Sequence, residues 1–471
     1  MLGNPLVIQG GMGVAVSSWP LARAVSLRGQ LGVVSGTALD AVLARRLQLG
    51  DVGGHIAEAM SKFPVRAIAE RVWDRYFIPG GKAANAPFKS KPLPQLNATS
   101  TLVELTVLAN FVEVYLAKRG HSGAVGINLL EKIQTPTLPS LFGAMLAGVD
   151  AVLMGAGIPR YIPRVLDELA EGRPSELRID VSGLDSDQVV ATRFDPAPHL
   201  TSDSALNRPK FLAIVSSASL AQVLAKKCSP GADGFIIEGP TAGGHNAPPR
   251  GALQLNKMGE PLYGERDVPE FSKINDLGLP YWIAGSYGTR EKLLEAQDLG
   301  ARGIQVGTAF AFCDESGILP EIRAEVLQAS ITGKTELFTD PLASPTGFPF
   351  KVLKLPGTVG DPTTAEKRDR ICDLGYLREL YMQPNGKVGY RCAAEPVEDY
   401  VRKGGSEENT EGRVCICNGL VATVGMAQSR NGHSERALVT AGDDVANLGR
   451  YLKPGKTSYS ADDVLDVLLP S

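Results

Sequence analysis

The sequence has few cysteines and no excess of basic residues, and each of these features excludes a class of protein. Six cysteines in 471 residues are too few for a disulfide-stabilised secreted scaffold, so we expect a reducing, cytoplasmic setting. The formal net charge of −3, without any basic cluster that carries aromatic residues, argues against nucleic-acid and membrane partners. We therefore expect a small-molecule substrate. The sequence leaves open whether the chain forms a homodimer.

Long uninterrupted apolar runs and a leader-like N-terminus are also missing. The most apolar stretch, residues 141–159, is interrupted by Asp150 and several glycines, which is typical of a helix, a turn and a strand. Residues 1–13 lack the charged segment and the following apolar segment of a secretory signal. We expect a strand to begin there almost at once.

The first two thirds of the sequence contain a regular alternation of short apolar runs with helical segments. Such alternation predicts βα units around a parallel sheet, and eight of the runs are apolar enough to be buried on both faces. Eight units, without an early G-x-G-x-x-G after a strand, favour an α/β protein with a closed (β/α)8 TIM barrel. The predicted strands are Leu6–Gln9, Leu31–Ser35, Ala124–Asn128, Ala151–Met154, Phe211–Val215, Gly234–Ile237, Tyr281–Ala284 and Gly303–Val306.

Two insertions interrupt the series of βα units, and a C-terminal extension follows it. We therefore place the barrel in residues 1–339. Residues of about 51–120 are too many for a plain loop and predict an inserted helical segment, notably Leu102–Lys118. Residues of about 172–208 predict a hairpin. Residues 340–471 have scattered apolar positions and four of the six cysteines, so we expect a cysteine-containing extension that packs on the barrel.

Two shorter predictions concern local helices. Residues Ser17–Arg28 carry apolar side chains at helical spacing, with Ser17 or Ser18 as the N-cap. Residues Cys372–Arg378 predict a short helix, to which we assign no chemistry.

Glycines and hydroxyl residues follow the seventh and eighth predicted strands, at the end of a barrel where active sites lie. Gly285-Ser286 and Gly307-Thr308 combine accessible backbone N–H groups, hydroxyl donors and a following helix. A pair of tight turns would explain either dipeptide alone. Both together, at the two places where barrels bind phosphate, favour a phosphate site.

The ends of the first and third strands offer groups that suit a flat heteroaromatic ring. The loop Gly10–Gly13 can present backbone N–H groups, and the amide of Asn128 can both donate and accept. Taken alone, Asn128 is better explained as a cap of the following segment.

His245 stands apart from the other four histidines of the chain. It follows Gly243 and Gly244 after the sixth predicted strand, which places its ring at the barrel mouth. An imidazole there can take a proton from carbon or hold an anionic oxygen near pH 7. A structural histidine is the usual alternative, but this position favours a catalytic role.

Three segments that carry these residues resemble the nitronate monooxygenase family, also called 2-nitropropane dioxygenase-like. The segments are PLVIQGGMGVAVSSWPLARAVSLRGQLGVVSGTALD, EGPTAGGHNAPPRG and IAGSYGTREKLLEAQDLGARGIQVGTAF. Related flavin enoyl-acyl-carrier-protein reductases share all three features. The resemblance covers about residues 4–335, and it indicates an FMN-binding barrel without indicating the substrate.

The resemblance implies an FMN site and a catalytic His245. Ser286 stands where many relatives have a second glycine, and the insertion at 51–120 and the loop Asn246–Gly251 also depart from shorter relatives. The insertion and the loop imply a different substrate pocket, whereas Ser286 is compatible with phosphate binding and leaves the local backbone conformation open. The residues expected at the FMN are Gly11, Met12, Gly13, Asn128, Gly244, Gly285, Ser286, Gly307 and Thr308.

Four cysteines of the extension form a second constellation. Cys372, Cys392, Cys415 and Cys417 are separated by 19 and 22 residues and then by a single isoleucine. Four thiolates can bind zinc or an iron–sulfur cluster, but these spacings match neither a C-x2-C zinc pair nor a ferredoxin motif. Buried free thiols are the alternative.

Three functions remain compatible with the sequence. The first is an FMN-dependent nitronate monooxygenase that oxidises an alkyl nitronate, or a similar small acidic carbon compound, with O2. The second is an enoyl-thioester reductase or dehydrogenase-isomerase that acts on an acyl thioester with FMN and NAD(P)H. The third is a non-catalytic FMN- or phosphate-binding protein whose extension docks a partner. The segment Ser344–Lys351 either folds over the barrel mouth, offering Lys351 to an anionic substrate, or is a solvated linker.

Overall fold

A closed barrel of eight parallel strands forms the centre of the protein. The computed structural model describes residues 3–200, 206–430 and 432–470. Each barrel strand pairs with its neighbours along the chain, and the eighth closes on the first with Val7 opposite Ile304. The predicted (β/α)8 class and all eight predicted strands are confirmed. The strands are Val7–Gln9, Leu31–Ser35, Val125–Leu130, Ala151–Gly155, Lys210–Val215, Gly234–Glu238, Tyr281–Ala284 and Gly303–Val306.

Alternate residues of each strand point into the barrel, because successive side chains of a strand leave opposite faces. Ile8, Leu153, Ile236 and Trp282 belong to one buried apolar cluster that fills the interior. Their sequence neighbours face outward and pack beneath the helices. The barrel is therefore a packed core, and only its C-terminal end is available for a site.

Helices cover the outside of the barrel and extend into the first insertion. The helices before residue 200 are Trp19–Leu27, Leu39–Gln48, His55–Met60, Arg66–Tyr76, Ser100–Lys118, Thr137–Leu146 and Ile162–Ala170, with a 3-10 turn at Ala197–His199. Those that follow, up to the extension, are Ala218–Lys226, Phe271–Asn275, Arg290–Asp298, Thr308–Ala311 and Pro320–Ile331, with a 3-10 turn at Glu265–Asp267.

The helix predicted at Leu102–Lys118 is present as Ser100–Lys118. Its length and apolar composition match those of a membrane span, but most of it is buried and it packs against Thr137–Leu146. The carboxylate of the buried Glu113 accepts the N–H of Trp19 at 2.7 Å. Packing among the barrel helices therefore explains its apolar character.

The second insertion contains the predicted hairpin. Ser175–Arg178 pairs antiparallel with Ala191–Phe194, and Ser175 lies opposite Phe194. Residues 201–205 of this insertion lie outside the described residues.

The predicted N-cap position of the first helix is confirmed at Ser18, which has extended backbone geometry, but the hydroxyl does not perform the capping. The helix begins at Trp19, and the side chain of Ser18 makes no capping hydrogen bond. The hydroxyl of Ser17 instead accepts the N–H of Met12 and donates to the carbonyl of Gly10, both at 2.9 Å. These two bonds connect Ser17 to the glycine-rich loop Gly10–Gly13, so its hydroxyl stabilises that loop.

The extension consists of short ladders and helices that pack on the barrel. Its two-stranded ladders are Leu337–Asp340 with Phe350–Leu353, Glu379–Met382 with Val388–Arg391, and Ser429–Arg430 with His433–Ser434. Its helices are Pro362–Ala365, Val397–Arg402, Ile416–Thr423 and Ala461–Leu468, with 3-10 segments at Glu407–Thr410 and Asp443–Tyr451.

The prediction of a short helix at Cys372–Arg378 is wrong, because this segment forms turns. Gly375 has a φ of +68°, which ends helical geometry, and long-range bonds decide the remaining conformation. The hydroxyl of Tyr376 donates to the carboxylate of Asp40 at 2.5 Å, and Asp40 also pairs with Lys91 at 2.7 Å. This buried group joins the extension to the barrel and to the first insertion.

Candidate active site

One cavity opens at the C-terminal end of the barrel, and the segments that follow seven of the eight strands line it. His245 lies on its wall. Every residue expected at the FMN also lines it, namely Gly11, Met12, Gly13, Asn128, Gly244, Gly285, Ser286, Gly307 and Thr308. Among the four cysteines of the extension, Cys417 reaches this cavity.

Two buried polar atoms in this wall have no hydrogen-bond partner among the described residues. They are the Oγ atom of Ser286 and the Oε1 atom of Gln305, and both residues line the cavity. Buried polar atoms are nearly always paired, so an unpaired one calls for an additional group. A polar cofactor with phosphate and ring oxygens or nitrogens fits this need.

Glycines keep the backbone accessible where the phosphate loops turn. Gly285 has a φ of +100°, and a Cβ there would lie 2.8 Å from the Oγ1 atom of Thr241. A Cβ on Gly307 would meet the sulfur of Met12 at an ordinary 3.5 Å, so a longer side chain would extend into the cavity. The residues present therefore fit a bound FMN.

The C-terminal extension completes the mouth of the cavity, and two of its contacts, from Thr440 and Gly442, were not identified from the sequence. The N–H of Gly244 donates to the Oγ1 atom of Thr440 at 2.9 Å, and the N–H of Gly442 donates to the Oγ1 atom of Thr308 at 2.8 Å. The Gly244 N–H is thus already used within the protein. Thr308 retains its own hydroxyl hydrogen for a ligand.

His245 is held from the extension side. Its Nε2 atom lies 2.7 Å from the Oγ atom of Ser344, and its ring packs edge-on against Phe350 with centroids 4.9 Å apart. Burial, with a smaller contribution from Lys132, lowers the pKa of His245 to about 4. At pH 7 the ring is therefore neutral and can offer one donor and one acceptor.

The segment Ser344–Lys351 folds over the barrel mouth, so the solvated-linker interpretation is wrong. Lys351, however, is buried and pairs with Asp443 at 2.7 Å and with the hydroxyl of Thr339 at 2.9 Å. It is therefore not presented to an anionic substrate. Because a buried ammonium needs partners, its role is to fix the extension beside the cavity.

Two polar residues of the cavity were not identified from the sequence. Glu238 ends the sixth strand and Gln305 lies in the eighth, and both point into the barrel mouth. Burial raises the pKa of Glu238 to about 7. The sequence did indicate the direction of the Glu238 side chain. Side chains alternate between the two faces of a strand, and Glu238 lies two residues after the inward-facing Ile236.

The extension cysteines pack together without forming a recognisable metal site. Cys392, Cys415 and Cys417 share one small apolar cluster, and burial raises the pKa of Cys415 to about 12. No group of three or more ligating side chains with suitable placement occurs in the described part of the chain. The structure thus gives the zinc and iron–sulfur hypotheses no support.

Comparison with known proteins supports the resemblance seen in the sequence. Residues 166–341 match the family model described as nitronate monooxygenase. A probable nitronate monooxygenase of Staphylococcus haemolyticus is 35% identical over 104 residues, which cover 22% of this chain and 28% of the relative. The resemblance to this family is thereby confirmed.

Two further proteins show a more extended similarity. The (3aS,4S,5R,7aS)-5-hydroxy-7a-methyl-1-oxo-octahydro-1H-indene-4-carboxyl-CoA dehydrogenase of Mycobacterium tuberculosis is 24% identical over 229 residues, covering 45% of this chain and 60% of the relative. FabK from Thermotoga maritima aligns over 99% of this chain and 91% of its own, with 17% identity and a TM-score of 0.46. The chain thus matches less than two thirds of the length of these curated relatives.

Proposed function

We propose that this chain, whose residues 166–341 match the nitronate monooxygenase family, is an FMN-dependent oxidoreductase. One observation carries the proposal. The glycine-bearing loops after barrel strands one, seven and eight line a single cavity together with His245. A phosphate cradle and a neutral imidazole in one desolvated mouth are what a flavin enzyme requires of its protein.

The residues divide into those that would bind the cofactor and those that would face the substrate. The loops at Gly285-Ser286 and Gly307-Thr308 would hold the phosphate, and Gly11–Gly13 with Asn128 would face the ring. Bound FMN supplies the electron-accepting ring system. The protein contributes placement, exclusion of water and hydrogen bonds, among which the imidazole of His245 would orient the reacting group of the substrate.

An alkyl nitronate, or a similar small acidic carbon compound, with O2 as the oxidant is the first candidate reaction. It is supported by the family match and by the environment of His245. A neutral imidazole can donate a hydrogen bond to an anionic nitronate oxygen without itself carrying a charge. Burial of the imidazole makes that hydrogen bond stronger than it would be in water.

A second candidate, reduction or dehydrogenation of an acyl thioester, is favoured by two observations. A relative with 24% identity carries a CoA thioester in its name. A second cavity, which contains Arg250 and Tyr263, shares Ala156, Ile214 and His245 with the first. The combined space would accommodate a substrate larger than a small nitronate.

Anaerobic bleaching of the flavin spectrum separates these candidates. Purified protein reconstituted with FMN is mixed with propyl nitronate in one sample and with NADPH in another. Bleaching by the nitronate, reversed on admission of O2, supports the first reaction. Bleaching by NADPH, reversed by crotonyl-CoA under anaerobic conditions, supports the second. If the protein binds FMN and none of these compounds changes its oxidation state, the non-catalytic alternative gains support.

We also propose that residues 340–471 form an integral part of this site. Ser344 contacts His245, and Thr440 contacts Gly244, so the extension supplies bonds that the barrel alone does not provide. A chain ending at residue 339 would then lose ordered placement of the histidine. Comparison of FMN binding by the truncated and full chains, with circular dichroism as the folding control, tests this role.

A further inference from the structure

Two further cavities continue from the one that the flavin would occupy. The second cavity shares part of its wall, including His245, with the first. The third cavity shares Gly157, Ile158 and Phe348 with the second. The hairpin of the second insertion forms one wall of the third cavity. The three cavities therefore adjoin one another in a row, from the barrel mouth to the second insertion.

Three arginines line the two outer cavities. Arg250 lies at the second cavity, and Arg160 and Arg178 lie at the third. Among the described residues, none of these three guanidinium groups forms an ion pair or a hydrogen bond, and Arg178 lies over the ring of Tyr161 at 5.8 Å from its centroid. Guanidinium groups without a carboxylate partner, placed at a concave surface, are suited to bind phosphate oxygens.

Three of the four carboxyl groups at the outer cavities are already engaged. The Nε2 atom of Gln134 donates to the carboxylate of Glu131 at 2.8 Å and to that of Asp180 at 3.1 Å. The carboxylate of Asp267 accepts two backbone N–H groups at 2.8 Å, one of which belongs to Arg250. The fourth carboxyl group ends the sixth barrel strand and also lines the flavin cavity. The arginines are therefore left to bind an anion.

The remaining cation of the third cavity, Lys132, is held by the segment Ser344–Lys351. Its ammonium lies 3.6 Å from the ring centroid of Phe348 and donates to the carbonyl of Thr346 at 3.2 Å. Because Phe348 lines both outer cavities, this contact fixes the wall between them. Lys132 thus stabilises the shape of the recess, whereas the arginines remain available to a ligand.

Apolar side chains lie exposed beside the arginines of the third cavity. Ile158 and Val189 have exposed fractions of 43% and 58%, and both line this cavity. A ligand in the cavity would cover these side chains, and their removal from water favours binding. A ligand that combines phosphate groups with an apolar linker or a flat ring therefore matches both features of the wall.

We propose that the second and third cavities bind the phosphate-bearing tail of an elongated ligand whose reactive end reaches His245 in the flavin cavity. This inference rests on the proposed oxidoreductase function. Arg160 and Arg178 would bind the phosphate groups at the far end, and Arg250 would contact the tail nearer the flavin. Coenzyme A thioesters and NADPH share this chemistry, since each carries an adenine nucleotide with a pyrophosphate group and a further phosphate.

Isothermal titration calorimetry of the FMN-loaded full chain with coenzyme A and with NADP+ tests the site. Replacing both Arg160 and Arg178 with alanine should weaken binding of the preferred compound about 10- to 100-fold, because charge-assisted hydrogen bonds are lost. Arg193→Ala is the matched control, since Arg193 belongs to the same hairpin but pairs with Glu176 at 2.9 Å. Unaltered affinity in the double variant would overturn the proposal, as would a wild-type protein that binds neither compound at millimolar concentration.

Kinetics with shortened compounds identify the source of the tail. If coenzyme A binds more tightly, the double variant should have a raised KM for crotonyl-CoA and an unchanged KM for crotonyl-pantetheine, which lacks the nucleotide. If NADP+ binds more tightly, the same contrast should separate NADPH from reduced nicotinamide mononucleotide. A KM that rises equally for the long and the shortened compound would overturn the tail-binding role of the arginines.

Failure of the proposed function would give a different result. A wild-type protein that takes up no FMN would defeat the oxidoreductase function, whereas calorimetric titrations of that flavin-free protein would still report on the arginines. Conversely, a protein that binds FMN and is bleached by propyl nitronate, but binds neither coenzyme A nor NADP+, would retain its function and lose the proposed tail site.

Discussion

The Nε2 atom of His245 lies 2.7 Å from the Oγ atom of Ser344, although 99 positions separate the two residues in the sequence. Ser344 is fully buried and belongs to the extension, whereas His245 follows the sixth barrel strand. The bond therefore fixes the orientation of the histidine ring from outside the barrel. Ser344 is a positioning residue in this arrangement, because it acts through His245.

Replacement of Ser344 with alanine should misplace the imidazole without removing it. Loss of one buried hydrogen bond between neutral groups costs about 0.5–1.5 kcal/mol, so we expect flavin reduction to slow about 3- to 10-fold. Nitrogen-15 NMR of the histidine ring should also show a changed tautomer balance. Ser434→Ala, in the exposed Ser429–Ser434 pair, is the matched control. An unaltered ring spectrum in Ser344→Ala would contradict the positioning role.

Replacement of His245 with alanine should separate binding from chemistry. The phosphate loops remain intact in His245→Ala, so FMN should bind at normal stoichiometry. Flavin reduction should slow by about 100-fold or more, because the oriented imidazole is lost. Stopped-flow reduction and FMN content measured on the same preparation check both parts. Turnover at the wild-type rate would refute a role for His245 in the reaction.

A side chain at Gly307 should displace the cofactor phosphate. The backbone there has a φ of −107°, which valine adopts without strain, and the added Cβ makes only an ordinary contact with Met12. Its methyl groups would occupy the cavity, so Gly307→Val should weaken FMN binding by about 10- to 100-fold. Gly264→Val is a suitable control, because a Cβ at this exposed position meets nothing within 4 Å. Full yellow colour in the Gly307 variant would place the phosphate elsewhere.

The raised pKa of Glu238 predicts a pH-dependent stability difference. The folded protein binds a proton that the unfolded chain releases between about pH 4.5 and pH 7, so this contribution to stability is present below that window and is lost as pH rises through it. Glu238→Gln has no such loss. Its stability relative to wild type should therefore increase by about 1–3 kcal/mol from pH 4.5 to pH 8. Urea unfolding at the two pH values measures this change, and a constant difference would contradict the raised pKa of Glu238.

The barrel could be predicted from the sequence because its signals are local. Each buried strand is a short apolar run, and the glycine-rich loops follow these runs directly, so the convergence on one cavity comes from barrel topology. Glu238 was missed although its position was readable, since the predicted sixth strand ended at Ile237. Ser344 and Thr440 could not be predicted, because their contacts depend on how a distant segment packs.

The burial of charged groups in the extension was likewise beyond local reasoning. Lys351 looked available to an anionic ligand, but Asp443, which lies 92 positions away, neutralises it in the fold. The cysteine spacing indicated a metal site only by residue type. Whether thiols point at one another with ligating geometry is decided by tertiary packing, which the spacing does not determine.

The central claim is that the loops after the seventh and eighth strands form a phosphate cradle for FMN. Titration of flavin-free protein with FMN and with riboflavin, followed by flavin fluorescence, tests it most directly. Because hydrogen bonds to a charged group each contribute about 1.5–3 kcal/mol, the account predicts that FMN binds at least about 100-fold more tightly than riboflavin. Equal affinity for the two compounds would contradict it.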